Sequence, residues 1–247
     1  MDTLAYQLKS IRLSGMAKNL AIRLQEATAN DLSYFDFLNN LIQDELTVRK
    51  DRLLNKRTKK ANFPYWCTID EFDFSFNPGI NKKHIKQLAA GSFVPNSENV
   101  LLIGPPGVGK THLAVAFGIR AIENGFSVLY RSSFDIAKEI TEKPEQDVLR
   151  LYVEPHLLII DELGMKNLKQ NMTEILLEVM HRRYRKRSTI IASNRPIEDW
   201  GKILGDNATA SAILDRFLEN VHFIKIPGKS YRLKSLNPKE QNNNVES

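Results

Sequence analysis

Gly104-Pro105-Pro106-Gly107-Val108-Gly109-Lys110-Thr111 stands between an apolar run, Val100 to Ile103, and a stretch of helical spacing, Thr111 to Asn124. A glycine-rich turn that ends a strand and opens a helix is the setting a phosphate-binding loop requires. Without side chains at the glycines, successive backbone N–H groups can converge on an anion at the start of the helix. Lys110 is then placed to reach the β- and γ-phosphates of a nucleoside triphosphate, and the Thr111 hydroxyl to ligate Mg²⁺. All eight residues are therefore candidates for binding ATP, with Mg²⁺ as its companion ion.

Outward from this loop, short apolar runs alternate with longer amphipathic ones, the sequence form of a parallel sheet covered by helices. The runs are Val100 to Ile103, Val128 to Tyr130, Leu157 to Ile160, Thr189 to Ala192 and Phe223 to Ile226; helices are expected over Thr111 to Asn124, Phe134 to Ile140, Met172 to Lys186 and Ala208 to Glu219. The third run ends in Asp161-Glu162. In an open α/β sheet, ligands sit at the carboxyl ends of the strands. Asp161 there would hold Mg²⁺ through water, and Glu162 would orient and deprotonate the water that attacks the γ-phosphate. Taken alone, the pair reads equally well as two solvated acids in a turn; beside a phosphate loop the catalytic reading wins. The fourth run ends in Ser193-Asn194, at the same sheet edge, where Asn194 could bond the attacking water or the γ-phosphate. Asp215-Arg216 closes a helical stretch, and a guanidinium there either stabilises a transferring phosphoryl group or pairs with Asp215 or Glu219.

The first 62 residues differ in kind. Leu4, Leu8, Ile11, Met16, Leu20 and Leu24 have near-helical spacing interrupted by Gly15, and Ser33 with Asp36 opens a second helix that runs to Lys60. The expected domains are 1–62, a small helical module; 63–236, the α/β domain, entered through the aromatic stretch Tyr65 to Phe76; and 237–247, an Asn-rich disordered tail. Only 21 residues follow Ile226, so no full C-terminal lid domain is expected. With 42% hydrophobic and 26% charged residues in 247, the chain is expected to be globular, which excludes disorder or a collagen-like fibre for the whole. One cysteine, Cys67, and the absence of zinc-like spacing point away from disulfides and structural metal, toward a reducing, cytoplasmic setting. No apolar run approaches a membrane span. The five histidines are scattered, and core or surface roles are the default for each.

At Gly104 to Thr111 with His112-Leu-Ala, Asp161-Glu-Leu-Gly, Arg183-Tyr184, Ser193-Asn194, Ala212-Ile-Leu-Asp-Arg216 and Gly228-Lys-Ser-Tyr-Arg232, the sequence resembles IstB, the helper ATPase family of bacterial insertion sequences, a helicase-loader-like branch of the AAA+ ATPases. Ala61-Asn-Phe-Pro64 and Glu71-Phe-Asp-Phe74 extend the resemblance over roughly residues 4 to 236, whereas the replicative helicase loader is similar only over the ATPase part. The resemblance implies an AAA+ core with strand order 5-1-4-3-2, ATP-dependent homo-oligomers, binding to duplex DNA, and delivery of that DNA to a transposase encoded by the same element. It implies Asn194 as the sensor 1 residue, Arg216 as a finger entering a neighbour's site, and Arg232 as the sensor 2 arginine. The connection from Ile140 to Leu157, with Pro144 and Pro155, is short for the family.

The basic charge, +6 overall, concentrates in two places: seven basic residues against one acid over 49–60, and five basic residues over 182–187. From these, Lys56, Arg57, Lys59, Lys60, Arg182 and Arg183 are candidates for sequence-independent contact with DNA phosphates, against the alternative of solvated helix faces. Competing readings of the whole are a helicase loader, a nucleotide-gated scaffold coating DNA without productive turnover, and a small-molecule kinase, for which no acceptor site is visible.

Overall fold

A computed structural model of the chain describes residues 2–165, 170–203 and 207–236, so the expected tail lies outside the described residues. Two packed units divide at Arg57, Met1–Arg57 and Thr58–Ser247. That division falls inside a helix whose last residue, Ala61, is fully buried.

The first unit holds α1 (Asp2–Ser10), α2 (Ser14–Ala29) and the start of α3 (Tyr34–Ala61). Gly15 does not break the helix as its spacing suggested. The break is at Arg12, in the left-handed region at φ 64°, and Gly15 lies in the first turn of α2. There the buried Glu45 carboxylate of α3 accepts from the N–H groups of Gly15 at 2.6 Å and Met16 at 3.3 Å. A helix N-terminus presents unpaired donors, and a carboxylate both satisfies them and opposes the helix dipole. Arg23 holds α2 to α3 through a two-pronged pair with Asp44 at 2.8 Å on each prong. The Ser33–Asp36 cap is formed, with Asp36 N donating to Ser33 Oγ at 3.1 Å.

The second unit continues through α4 (Lys82–Ala89), β1 (Asn99–Ile103), α5 (Lys110–Glu123), β2 (Val128–Ser132), α6 (Ser133–Glu142), α7 (Glu145–Val153), β3 (Leu157–Leu163), α8 (Gln170–Arg183), β4 (Ser188–Ser193), α9 (Trp200–Ile203), α10 (Asn207–Leu218) and β5 (Val221–Lys225), and ends in a 3₁₀ turn, Tyr231–Leu236. The five strands are parallel in the order β2-β3-β4-β1-β5, which is the expected 5-1-4-3-2 read from the other edge. β1, β3 and β4 are buried on both faces, as parallel strands covered by helices must be. One face packs on α5. The other forms a core of Leu101, Leu129, Leu158, Ile160 and Ile191 with Ile136, Tyr152, Leu176, Val179 and Phe217 from α6, α7, α8 and α10. The short connection after Ile140 is occupied by α7, with Pro144 immediately before its first turn and Pro155 just beyond its end.

One irregularity matters for the site. The register between β3 and β4 shifts between Ile160, which pairs with Ile191, and Leu163, which pairs with Ser193. Asp161 and Glu162 thus oppose Ala192 alone, a β-bulge, and Glu162 sits in the left-handed region at φ 58°. A bulge re-aims the side chains on its strand. Asp161 is turned inward, 1% exposed, and Glu162 outward.

A phosphate-loop cleft at the carboxyl edge of the sheet

The loop after β1 is preformed. Gly107 and Gly109 adopt φ of 80° and 102°, a conformation that costs little only without a Cβ. Space is equally limiting: a Cβ on Gly107 would meet Ser230 Oγ at 2.0 Å, and one on Gly109 would meet the Phe72 ring at 2.6 Å. The Lys110 ammonium donates to the carbonyls of Gly104 at 2.7 Å and Pro105 at 2.8 Å, bracing the loop from within. Burial lowers the Lys110 pKa, and the nearby carboxylates of Asp161 and Glu162 oppose that shift.

Register alignment brings the polar strand ends to one edge, since Ile103 is level with Ser193 and Ser132 with Asp161. Both Asp161 oxygens are oriented: Oδ1 accepts from Glu162 N at 2.7 Å and Oδ2 from the buried Tyr130 hydroxyl at 2.8 Å. Ser133 Oγ donates to the Glu162 carbonyl at 3.0 Å, and Ser193 Oγ to Leu163 O at 2.7 Å. These two bonds anchor the strained turn on either side of Glu162. Burial and then the Asp161 charge raise the Glu162 pKa, against the pull of Arg232. Asn194 donates to the Met165 thioether at 3.2 Å, a weak acceptor, and its own Oδ1 accepts from no group among the described residues.

The cleft beside the loop is lined by Lys110, Thr111, Tyr65, Phe72, Asn77 and Arg232, among others. Arg232 is carried by the 3₁₀ turn, which Tyr231 fastens to the loop by donating its N–H to Gly107 O at 2.9 Å. Arg232 and Lys110 line this cleft together, and each lowers the Glu162 pKa. Tyr65, Phe72, Asn77 and Tyr231 are wall residues to which sequence reasoning assigns no role. Tyr65 and Phe72 fall in the aromatic stretch Tyr65 to Phe76, which reads as a connection, and Tyr231 falls in the run Gly228 to Arg232 that carries the family resemblance. Phe72 stands edge-on to His112 at 5.5 Å and Phe76 to Tyr231 at 5.0 Å; Asn77 donates to Val108 O at 3.1 Å. The donor set suits Mg²⁺, a hard cation usually held by one or two side-chain oxygens plus phosphate and water: the Asp161 carboxylate and the Thr111 hydroxyl are oxygens at this edge, and no cage of several acids is needed.

Arg216 is elsewhere. It lies near the end of α10 with Nη1 donating to Ala212 O at 2.9 Å, in a small cleft that also contains Asn99. Asn99 begins β1 and donates to Phe217 O at 2.9 Å. Four residue steps take it to Ile103, about 13 Å along the strand at roughly 3.3 Å each. Arg216 therefore faces away from the chain's own loop.

Arg183 requires a correction. It is not a DNA contact: it is 1% exposed, with Nε donating to Thr189 Oγ1 at 3.0 Å and Nη1 to the carbonyls of Tyr152 at 2.9 Å and Pro155 at 2.8 Å. Its Nη2 donates to Ser188 O. The guanidinium caps carbonyls left over at the end of α7 and at the entry to β3 and β4, and burial pushes its pKa down to about 9. Arg182 is exposed and paired with Glu178 at 2.6 Å. On α3, Lys56, Lys59 and Lys60 are exposed and Arg57 half-buried.

A parallel sheet in this order, with a glycine loop after β1 and a buried Asp followed by Glu at the end of β3, defines a P-loop nucleotide-binding protein of the AAA+ type. More particularly, the chain belongs to the family described as IstB-like ATP binding protein, which matches residues 6–238. It is 36% identical to a Pseudomonas aeruginosa protein named for insertion sequence IS21 and ATP binding, over 95% of this chain and 90% of that one. It is 34% identical to the corresponding IS5376 protein of Geobacillus stearothermophilus, over 94% of each. Among solved structures, AMPPCP-bound DnaA from Aquifex aeolicus superposes with a TM-score of 0.55 at 22% identity, covering 71% of this chain and 57% of that one. The DnaC helicase loader does so with a TM-score of 0.51 at 20% identity, covering 67% and 96%. These structural likenesses carry the fold alone. Among the described residues, no helix is long and apolar enough to cross a membrane.

Proposed function

We propose that this protein is an ATP-hydrolysing helper of transposition, which assembles as a homo-oligomer on duplex DNA and delivers that DNA to the transposase of the same insertion element. What supports the hydrolytic part is that Lys110 and Arg232 line one cleft beside the loop, while Asp161, Glu162 and Asn194 stand at the carboxyl ends of β3 and β4 on the same side of the sheet. Family membership reaches into the N-terminal helical unit, and relatives matched over nine-tenths of their length are named for insertion sequences, which supports transposition over helicase loading.

In the proposed reaction, Lys110 and the loop N–H groups hold the triphosphate, with Thr111 and Asp161 holding Mg²⁺. When bound, the ion neutralises charge on the phosphate oxygens. Glu162 takes a proton from water as the water oxygen bonds to the γ-phosphorus; the bond from that phosphorus to the bridging oxygen breaks, and ADP leaves with the electron pair. Asn194 positions the water, Arg232 binds phosphate from the same chain, and Arg216 does so from the neighbour. Co-purification with the element's transposase is the expected result for the biological role. Recovery of a hexameric helicase in its place overturns it.

A general base works only when deprotonated, and the Glu162 pKa is raised above its ordinary 4.5. The kcat/KM for ATP hydrolysis, which reports the free enzyme, is accordingly expected to fall on acidification along a limb centred above 4.5. A pH–rate profile whose acid limb lies at or below 4.5, with the protein folded by circular dichroism, contradicts Glu162 as the base.

DNA binding is expected to be weakly sequence-selective and to weaken steeply with salt, through counterion release. On α3, Lys56, Lys59 and Lys60 recur at helical spacing and are exposed. Neutralising Lys56, Arg57, Lys59 and Lys60 together should flatten the plot of log affinity against log salt by about 0.9 for each phosphate that the variant no longer neutralises. A slope identical to wild type makes this a solvated face.

A further inference from the structure

The cleft at the amino edge of the sheet is lined by Asn99, Met180, Arg183, Tyr184, Arg187, Arg216 and Phe217, three guanidinium groups and no carboxylate. Most neighbouring charges are committed, and Asp215, whose charge reaches the cleft residue Tyr184, forms no ion pair with Arg187 or Arg216 among the described residues. Arg185 and the Tyr184 hydroxyl are bonded to Glu219, Arg182 to Glu178, and Arg183 spends its N–H groups on carbonyls and Thr189. Arg187 has no side-chain hydrogen bond or ion pair among the described residues, and Arg216 has the single bond to Ala212 O. The ends of α8 and α10 lie here, but each helix terminus offers only about half a negative charge. Like charges collected without a counterion are costly unless something supplies one.

We propose that Arg187 is a second phosphate-contacting residue that, together with Arg216, enters the nucleotide site of the adjacent subunit. The inference rests on Arg216 completing a composite site between subunits. The chain's own nucleotide is excluded as the anion, because the cleft and the phosphate loop lie at opposite ends of β1. A terminal phosphoryl group fits better than a nucleic-acid backbone. Two guanidinium groups meeting at one cleft match a compact, multiply charged group that each fork can grip with paired N–H donors. Duplex DNA instead spreads single charges, one per 3.4 Å of axis on each strand, and suits a line of cations. Arg187 therefore acts on charge that develops on the γ-phosphoryl oxygens, as a donor positioned in advance.

The experiment compares Arg187→Ala, Arg187→Lys and Arg216→Ala, each alone and mixed with Glu162→Gln. A fluorescent ATP analogue reports nucleotide affinity, steady-state ATPase reports turnover, and thermal melting reports folding. Arg187→Ala should hydrolyse roughly 10² times more slowly with melting and nucleotide affinity unchanged. Arg187→Lys should recover only part of that loss, since an ammonium lacks the fork. Mixing Arg187→Ala with Glu162→Gln should restore turnover, which a folding defect in the Arg187→Ala subunit would not allow. If Arg187→Ala turns over like wild type, the proposal is wrong, and a flattened salt dependence of DNA affinity in that variant reassigns the cleft to DNA. If Arg216→Ala is rescued by mixing and an impaired Arg187→Ala is not, Arg187 serves its own chain and only this proposal falls. If neither is rescued although subunits exchange, the composite site itself is wrong.

Discussion

Replacing Lys110 by Ala is expected to weaken ATP binding by roughly 10²-fold or more, while Glu162→Gln binds ATP as wild type does and turns it over about 10² to 10⁴ times more slowly. The two differ because the residues meet the nucleotide at different stages. Lys110 braces the loop through the carbonyls of Gly104 and Pro105 and, in the proposed reaction, is the cation that reaches the β- and γ-phosphates. Its removal takes away an attraction present in ground and transition states alike. In the proposed reaction Glu162 acts only when a proton leaves the attacking water, so an amide of the same shape should leave the ground-state complex intact. The turn that carries Glu162 is held through backbone atoms by Ser133 and Ser193, so Glu162→Gln has no structural reason to collapse it. Equilibrium binding of a fluorescent ATP analogue and steady-state hydrolysis measure the two effects separately. Equal ATP affinity in Lys110→Ala and wild type would remove the phosphate-loop assignment.

The second large effect is expected at Arg216. An arginine finger is worth roughly 10³ to 10⁵ in rate in well-studied phosphoryl-transfer systems, and Arg216→Ala should lose turnover on that scale while binding ATP nearly normally. The placement of Arg216 beside Asn99, about 13 Å along β1 from the strand's loop end, leaves it no route to its own nucleotide. Mixing Arg216→Ala with Glu162→Gln should therefore bring activity back, because some interfaces then join an intact Glu162 site to an intact Arg216 from the other variant. With subunit exchange shown independently, for example by energy transfer between labelled chains, mixtures as inactive as either parent exclude a trans-acting Arg216.

The features of this protein that are built within a few consecutive residues can be read from the chain directly. Gly104 to Thr111 must wrap an anion with its own backbone, so its composition is a direct record of its shape. The strand runs are legible because parallel strands buried on both faces must be continuously apolar, and the acids at 161 and 162 stand out as the polar end of one such run. Strand order and the role of Arg232 are not legible from spacing and enter through family resemblance. The rest takes form only on folding. The cleft wall joins Tyr65 and Phe72 to Tyr231 across most of the chain, and no local periodicity records such a meeting. Glu162's outward aim comes from a bulge against β4, which exists only once the two strands pair. A cluster of arginines at 182–187 reads in sequence as one basic patch, yet folding gives its members different fates: Arg182 pairs in solvent, Arg185 pairs with Glu219, Arg183 vanishes beneath the ends of α7, β3 and β4, and Arg187 is left beside Arg216. The physical reason is the same in each case. Charge and hydropathy are properties of a residue, whereas burial and partnership are properties of the segments that close around it, and those segments arrive from distant parts of the chain.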